Sequence, residues 1–475
     1  MSIRLLCVFL GLVCLAPVAA TAQQPSREET LAAMRKAAGY YHDQVARHGG
    51  YVYYYSPDLQ RRLGEGVASP DQIWVQPPGT PTVGLAYLRA YEATGDRFYL
   101  DAATEAAEAL VHGQLVGGGW TNAVDFNPRG ERVAEYRNGK GRGKNNSTLD
   151  DGISQGAIRL LMHADRAHDF KNEKIHEAAT FALDALLKAQ FPCGAFPQVW
   201  KGPIEKDIPP VKANFPKYDW RTEGRIKEYW DYYTLNDGLV GTVAAVLIDA
   251  HEIYQDERYQ KALAKLGDFL ILSQMPQPQP AWAQQYNYAM QPIWARRFEP
   301  PAVSGRESQD AVETLMTIYE QTGDAKYLEP IPAALAYLKR SLLSDGRLAR
   351  YYELETNRPL YMTRRGRDYS LTYDDSDLPS HYGWKTEANL DELQRRYAAL
   401  KNGSPAVADT SAPLAAQAAD VIRSLDDQGR WMSRFAGEPL VGQPKFREGE
   451  QYLASEVFSR NLELLSKFLE ADRER

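Results

Sequence analysis

Cysteine is scarce in this chain, with three in 475 residues. Cys7 and Cys14 lie in the first stretch, so Cys193 stands alone once that stretch is removed, and no internal disulfide can form. A chain this long buries enough apolar surface to fold without one, even in an oxidising compartment, and a nucleophilic role for Cys193 is not expected. An excess of positive charge is also missing. The 55 Lys and Arg are outnumbered by 62 Asp and Glu, for a net charge of −7, which argues against nucleic acid as a partner. It leaves room for an acidic sugar polymer, because a local basic cleft can outweigh a mildly acidic surface. Beyond the first residues no uncharged apolar run is long enough to span a bilayer. A dinucleotide-binding glycine fingerprint, a P-loop and strand-rich stretches are absent as well.

The chain does have a leader. Arg4 precedes an apolar stretch over 5–18, and Ala20-Thr21-Ala22 fits a small-residue cleavage site before Gln23. Gly11-Leu12-Val13 ahead of Cys14 makes a poor lipoprotein signal. Residues 1–22 are therefore expected to be a signal peptide. The mature protein, 23–475, is expected to be a single domain, periplasmic or secreted, free of the membrane and monomeric. Tyrosine (29) and tryptophan (9) are plentiful; such rings build helix-packed cores or offer flat faces to sugars.

A degenerate repeat runs through the chain. Each unit has an apolar-periodic helix, a short polar turn, a second helix and a closing loop rich in glycine and aromatics. Helical spacing over 81–92 and 102–111 closes at Gly117-Gly118-Gly119-Trp120. The spacing over 153–167 and 175–187 closes at Cys193-Gly194-Ala195-Phe196-Pro197. A unit over 239–272 closes at Ala281-Trp282-Ala283-Gln284-Gln285, and one over 311–342 closes at Asp345-Gly346-Arg347. Weaker versions precede Gly49-Gly50-Tyr51 and, over 414–425, Gly429-Arg430-Trp431. Turn-to-turn spacing of roughly 65–85 residues is too long for the small helical solenoids. It predicts an all-α fold, an α/α-toroid of helical hairpins around a common axis, whose closing loops gather at one end of the ring and carry function. Irregular stretches at 130–144 and 202–220 can reach over a cleft there; 402–412 reads as a surface linker.

Two clusters open helices at equivalent points: Ser147-Thr148-Leu149-Asp150-Asp151-Gly152 and Thr234-Leu235-Asn236-Asp237-Gly238. Asp150 or Asp151 can cap the helix that follows. Alternatively the carboxylates and amides supply the oxygens a hard cation such as Ca²⁺ prefers. Two further loops mix arginine with aromatics and amides. One runs from Trp282, Gln284 and Gln285 to Arg296, Arg297 and Glu299; the other from Arg350 through Arg358 to Tyr382 and Trp384. Arginine grips carboxylates through paired hydrogen bonds, so these loops suit an acidic sugar, although each arginine can equally pair with a neighbouring glutamate. The basic run at 364–367 reads as a solvated turn.

In order, Ser-Thr-Leu-Asp-Asp-Gly (147–152), Phe-Pro-Gln (196–198), Thr-Leu-Asn-Asp (234–237), Ala-Arg-Arg-Phe-Glu-Pro-Pro (295–301), Ala-Arg-Tyr-Tyr-Glu (349–353) and Asn-Arg-Pro (357–359) resemble the pectic acid lyases of polysaccharide lyase family 10. The resemblance covers about 81–384. It implies a helical toroid that cleaves α-1,4-polygalacturonate by Ca²⁺-assisted β-elimination, leaving 4,5-unsaturated oligogalacturonides. By motif, Asp150 and Asp237 resemble the acidic residues of the calcium-bridged centre, and Arg296 resembles the arginine that acts as base. Asn236, Trp282, Gln285, Arg297, Arg350, Arg358 and Tyr382 fall at substrate-binding positions. Arginines expected before Tyr382 are replaced by Leu378-Pro379-Ser380-His381, and the 202–220 stretch is longer than expected. A base role for Arg296 requires surroundings that disfavour its charged form, because a free guanidinium holds its proton above about pH 12. Two other functions fit the same residues: a toroidal glycoside hydrolase using Asp150 and Asp237 on uronates, and a binding protein for uronates without catalysis.

Overall fold

The hairpin turns are written into two Thr-Gly-Asp triplets. Gly95 and Gly323 adopt left-handed φ values of 74° and 69°, and each ends a helix by donating its N–H to a tyrosine carbonyl one turn back. Asp96 and Asp324 then start the next element by accepting the N–H of Phe98 and Lys326. A computed structural model of the chain describes residues 24–403 and 414–473. The expected signal peptide lies outside the described residues, as does most of the linker at 402–412.

Twelve α-helices are described: α1 (Arg27–Tyr40), α2 (Thr80–Thr94), α3 (Arg97–Gly113), α4 (Ile153–Ala167), α5 (Glu173–Lys188), α6 (Leu239–Tyr254), α7 (Glu257–Ser273), α8 (Gly305–Thr322), α9 (Ile331–Arg340), α10 (Leu390–Lys401), α11 (Leu414–Arg423) and α12 (Ser455–Arg473). The pairs α2/α3, α4/α5, α6/α7 and α8/α9 are antiparallel hairpins. Their first helices pack side by side in an arc that runs α12, α2, α4, α6, α8, α10. This is the α/α-toroid that the repeat predicts. The core follows the arc: small residues such as Ala86, Ala90, Ala157 and Ala244 let neighbouring helices approach, and Leu160, Leu161, Val243, Leu247 and Leu315 fill between them, all buried. None of the described helices is long and apolar enough to cross a membrane.

Short strands decorate this frame at one end. Immediately before the first helix of each of these four hairpins the chain donates two successive N–H groups, one to the preceding closing loop and one to its own. Trp74 and Val75 donate to Tyr51 and Asn122, and Thr148 and Leu149 to Trp120 and Gln198. Thr234 and Leu235 donate to Phe196 and Gln284, and Ser304 and Gly305 to Trp282 and Arg350. The closing loops are thereby stitched into one hydrogen-bonded circuit. The residue after each second donor, Gln76, Asp150, Asn236 or Arg306, occupies the same place in its repeat.

Two larger sheets flank the circuit. Tyr54–Tyr55 pairs with Arg62–Leu63 on one side and with Gln451–Ala454 on the other, so the two ends of the chain join next to α12. Tyr351–Glu353 pairs with Ala302–Ser304 and with a hairpin of Pro359–Arg365 and Asp368–Thr372. The basic run at 364–367 is the exposed tip of that hairpin, as read from the sequence.

Candidate active site

The two acidic clusters lie side by side because their backbones make the same unusual turn. Asp151 (φ 47°, ψ 27°) and Asp237 (φ 51°, ψ 39°) are left-handed, and Gly152 and Gly238 after them are left-handed too. Aspartate is among the few non-glycine residues that visit this region, and the second left-handed position is where glycine carries no steric cost. The turn sets the chain into α4 and α6 without either aspartate capping the helix; no side chain caps either start. The capping alternative thus does not hold, and the carboxylates are left for another partner.

Carboxylate oxygens of Asp150, Asp151 and Asp237 all lie within 4.8 Å of one another. Burial, then repulsion from Asp151 and Asp237, pushes the Asp150 carboxyl up to about 7. Burial, Asp237 and Glu65 push Asp151 up to about 6. Three acids so placed want a proton or a cation between them. Neutral donors and acceptors surround them. Gln76 donates to Asp151 at 2.9 Å and to Glu65 at 3.2 Å. Asn236 donates to Asp237 at 2.6 Å. Gln198 also hydrogen-bonds to Asp150, and its Oε1 is buried without a partner. Three hard oxygens and an orphaned amide oxygen are a fitting donor set for Ca²⁺.

Arginines frame the acids on the far side. Arg306 lies 3.2 Å from Asp237, Arg350 3.4 Å and Arg296 3.9 Å. Arg350 is buried and also holds Glu307 at 2.7 Å. Arg296 is 42% exposed and is clamped by Glu299, itself 2% exposed, at 2.5 Å. Glu299 also accepts from the Tyr382 hydroxyl at 3.0 Å, and Tyr382 meets Tyr351 at 2.7 Å.

This geometry corrects several expectations. Trp282 offers no face to a sugar: it is fully buried, and its indole N–H donates to the Leu270 carbonyl at 2.8 Å. It is a core residue whose truncation to alanine costs about 3–5 kcal/mol. Gln285 is buried as well and donates to the Tyr229 carbonyl, pinning the loop that bears Tyr229. Arg350 is committed to Glu307 and Asp237, so it fixes the acids instead of standing free for a uronate. Asn236 is spent on Asp237. Arg358 stacks on Tyr373 at 3.5 Å, and the Tyr373 hydroxyl binds Glu353; no bond ties Arg358 to the acidic cluster. The surroundings of Arg296 do not meet the condition for a base. Burial opposes its charge, but Glu299, Tyr382 and Asp237 together outweigh burial, and the guanidinium is held protonated more firmly than usual. Asp150, Asp237, Arg296, Arg297 and Tyr382 do line the same end of the ring. Glu65 and Gln76 lie outside the motifs, Gln198, Glu299, Arg306 and Glu307 lie within or beside them without an assigned role, and Asp151 is left open. The repeat register carried a signal for Gln76 and Arg306, because both fall where Asp150 and Asn236 fall in their own units.

A helical toroid with an acidic, arginine-framed centre among its closing loops fits a carbohydrate-active enzyme, and the comparisons make the class definite: the chain is a polysaccharide lyase. Residues 114–349 match the model of the pectic acid lyases. No curated protein matches the chain. Solved structures similar to it include the family 10 polysaccharide lyase from Cellvibrio cellulosa, at 22% identity and TM-score 0.47 over 66% of this chain and 95% of that one. A mutant of that enzyme in complex with trigalacturonic acid is 21% identical, with TM-score 0.47, over 68% of this chain and 98% of that one. Cellobiose 2-epimerase from Bacillus thermoamylovorans is similar at 13% identity and TM-score 0.45 over 94% and 100%.

Proposed function

We propose that this lyase cleaves α-1,4-polygalacturonate by β-elimination at the Asp150–Asp151–Asp237 centre, releasing 4,5-unsaturated oligogalacturonides with Ca²⁺ as cofactor. The observation that carries the reading is the acidic triad, uncapped and mutually repelling, set against Arg296 in a pectic acid lyase domain. Asp150, Asp151 and Asp237 would hold the cation, with the Gln198 amide oxygen beside Asp150. When bound, Ca²⁺ supplies a Lewis acid that draws charge from a uronate carboxylate and so acidifies the adjacent C5–H. A hydrolase would need two carboxyls about 5–10 Å apart with a sugar between them. Three carboxylates within 4.8 Å suit a cation better.

The chain's own residues then have distinct tasks. Arg306 and Arg350 fix the Asp237 carboxylate. Tyr382 backs the Arg296–Glu299 pair. Arg296 takes the C5 proton, but only after its own proton has moved along the existing hydrogen bond to Glu299. The guanidine lone pair so freed binds the C5 proton, the C5–H electrons form the C4=C5 bond, and the C4 oxygen leaves with its bonding electrons and the remainder of the chain; water protonates that oxygen, and the hydroxide formed takes the proton held on Glu299. In water, passing a proton from guanidinium to carboxylate costs about 8–9 pK units, or about 11–13 kcal/mol. A turnover of about 10 s⁻¹ allows a total barrier of about 16 kcal/mol. The transfer must therefore be made cheaper once bound substrate covers the part-exposed Arg296, because a lower dielectric favours a neutral pair over an ion pair.

The leader at 1–22 supports export, so the enzyme would meet pectate in the periplasm or outside the cell. N-terminal sequencing of the secreted or periplasmic protein, with Gln23 first, tests this.

The decisive assay follows absorbance of the unsaturated uronate on polygalacturonate, with Ca²⁺ and with chelator. A rise abolished by chelator is expected. New reducing ends without absorbance would make the enzyme a hydrolase, and silence in both would leave a binding protein.

A further inference from the structure

Next to the acidic centre lies a cavity of about 620 Å³, lined by Arg225, Lys227, Tyr229, Trp294, Arg296 and Arg297 among others. It shares Arg296 with the centre, and the Tyr229 carbonyl is fixed by Gln285. Its wall is built by the long irregular segment before Tyr229. That segment is anchored: Ala213 and Asn214 donate their N–H groups to Leu272 and Met290, Arg221 pairs with Glu353, and the Trp220 carbonyl accepts the Trp294 indole N–H at 2.7 Å.

The arginines here differ from those around the acids. Arg221, Arg296, Arg306 and Arg350 each have a carboxylate partner. Among the described residues, Arg225 and Arg297 have no carboxylate or hydrogen-bond partner, though both line this one cavity. Lys227 has only an exposed contact with Glu228, at 3.4 Å. The guanidinium carbon of Arg225 sits over Trp294, 3.7 Å from the ring centroid, and Trp294 is buried and fixed by its indole hydrogen bond. The guanidinium is thus already ordered, so less rotamer entropy remains to be lost on binding. Burial, and then the charge of Arg297, lowers the hold of Arg225 on its proton. Two like charges facing one space without an anion is an arrangement that an incoming carboxylate relieves.

We infer that Arg225, Lys227 and Arg297 form a carboxylate-binding subsite that seats a second uronate beside the one at Arg296. The inference rests on the polyuronate-lyase reading and deepens it. The subsite asks for a free carboxylate, because a methyl ester brings no charge to the pair and cannot take up both arginine forks. Two neighbouring unesterified uronates are then the unit recognised, and a blockwise de-esterified polymer is preferred to a randomly esterified one. Carboxylate capture here depends on the arginines and not on the acidic triad, so it persists in chelator.

The test uses the full chain and its R225Q, R297Q and doubly substituted forms. Trp294 under Arg225 makes intrinsic fluorescence a reporter. Titration with trigalacturonate in chelator is expected to give a saturable change in the unsubstituted protein, weakened roughly ten- to a hundredfold by each substitution. With Ca²⁺, polygalacturonate turnover should lose kcat/KM mainly through KM. Binding and KM unchanged in R297Q, whose exposed side chain leaves folding untouched, would overturn the subsite, even if R225Q unstacks from Trp294 and misfolds. An unsubstituted protein that binds trigalacturonate in an arginine-dependent way but never turns over polygalacturonate would overturn the lyase reading and keep the subsite. Failure of the unsubstituted protein to bind the trimer overturns the subsite.

Discussion

Glu299 grips Arg296 at both ends of the residue, accepting its backbone N–H at 2.9 Å and its guanidinium at 2.5 Å. If Arg296 must first surrender a proton, Glu299 is the group placed to receive it. E299Q keeps an oxygen for the backbone bond but cannot take the proton. It is expected to lower kcat at least a hundredfold with little change in KM, a loss of about 3 kcal/mol of transition-state stabilisation. R296K, which keeps the charge but not the fork, should fall with it. An E299Q enzyme with ordinary kcat would mean that Glu299 only positions Arg296.

The left-handed turn at Asp151 makes D151N the clean probe of the triad, because asparagine tolerates that backbone as well as aspartate does. The variant should fold normally and lose at least about tenfold in Ca²⁺ affinity, as removal of one charged oxygen from a hard-cation site implies. Calorimetric titration with Ca²⁺ alone reads this without any need for turnover. Equal affinity in D151N would confine the site to Asp150 and Asp237.

Much of the frame was legible. Helical spacing over 153–167 coincides with α4, and the two Thr-Gly-Asp turns fall where composition puts them. The α10 and α12 helices were not read, because the repeat was traced by hairpins followed by glycine-aromatic loops. The α12 helix enters the arc instead through long-range pairing of Gln451–Ala454 with Tyr54–Tyr55, and neither periodicity nor local turn signals encode such pairing. Asp150, Asp237 and Arg296, named from separate motifs, are brought to one place by the fold. The site was misread at Trp282, Gln285 and Arg350. Composition does not say which side chains of a closing loop turn into the core. Trp282 turns inward, while Gln284, two residues on, accepts from the Tyr351 hydroxyl beside Tyr382.

Arg350 gives a prediction that separates the two readings. Its partner Glu307 is fully buried, so R350M leaves an uncompensated charge and should destabilise the fold by about 3–5 kcal/mol. The double substitution R350M/E307Q removes both charges and should recover most of that loss in a urea melt. A purely substrate-binding Arg350 would leave the melt of R350M unchanged and move only KM.

Proton linkage gives the last prediction. Asp150 and Asp151, pushed up to about 7 and about 6 from an ordinary 3.8, bind protons more tightly in the folded chain than in the unfolded one. The close approach of these carboxyls to each other and to Asp237 is therefore tolerated while they are protonated. Stability of the cation-free protein falls as pH rises from about 4 through about 7. A cation takes the place of the protons only where they have left. Added Ca²⁺ should then raise Tm markedly at pH 8 and hardly at all at pH 5, in thermal melts run against chelator. Asp310, pushed up to about 7 chiefly by burial and by Glu307, adds a pH-dependent part that Ca²⁺ need not restore. D310N should lift the pH 8 melt in chelator while leaving the Ca²⁺ increment in place. A Ca²⁺ increment equal at pH 5 and pH 8 would mean that the cation does not compete with protons at the triad and binds elsewhere.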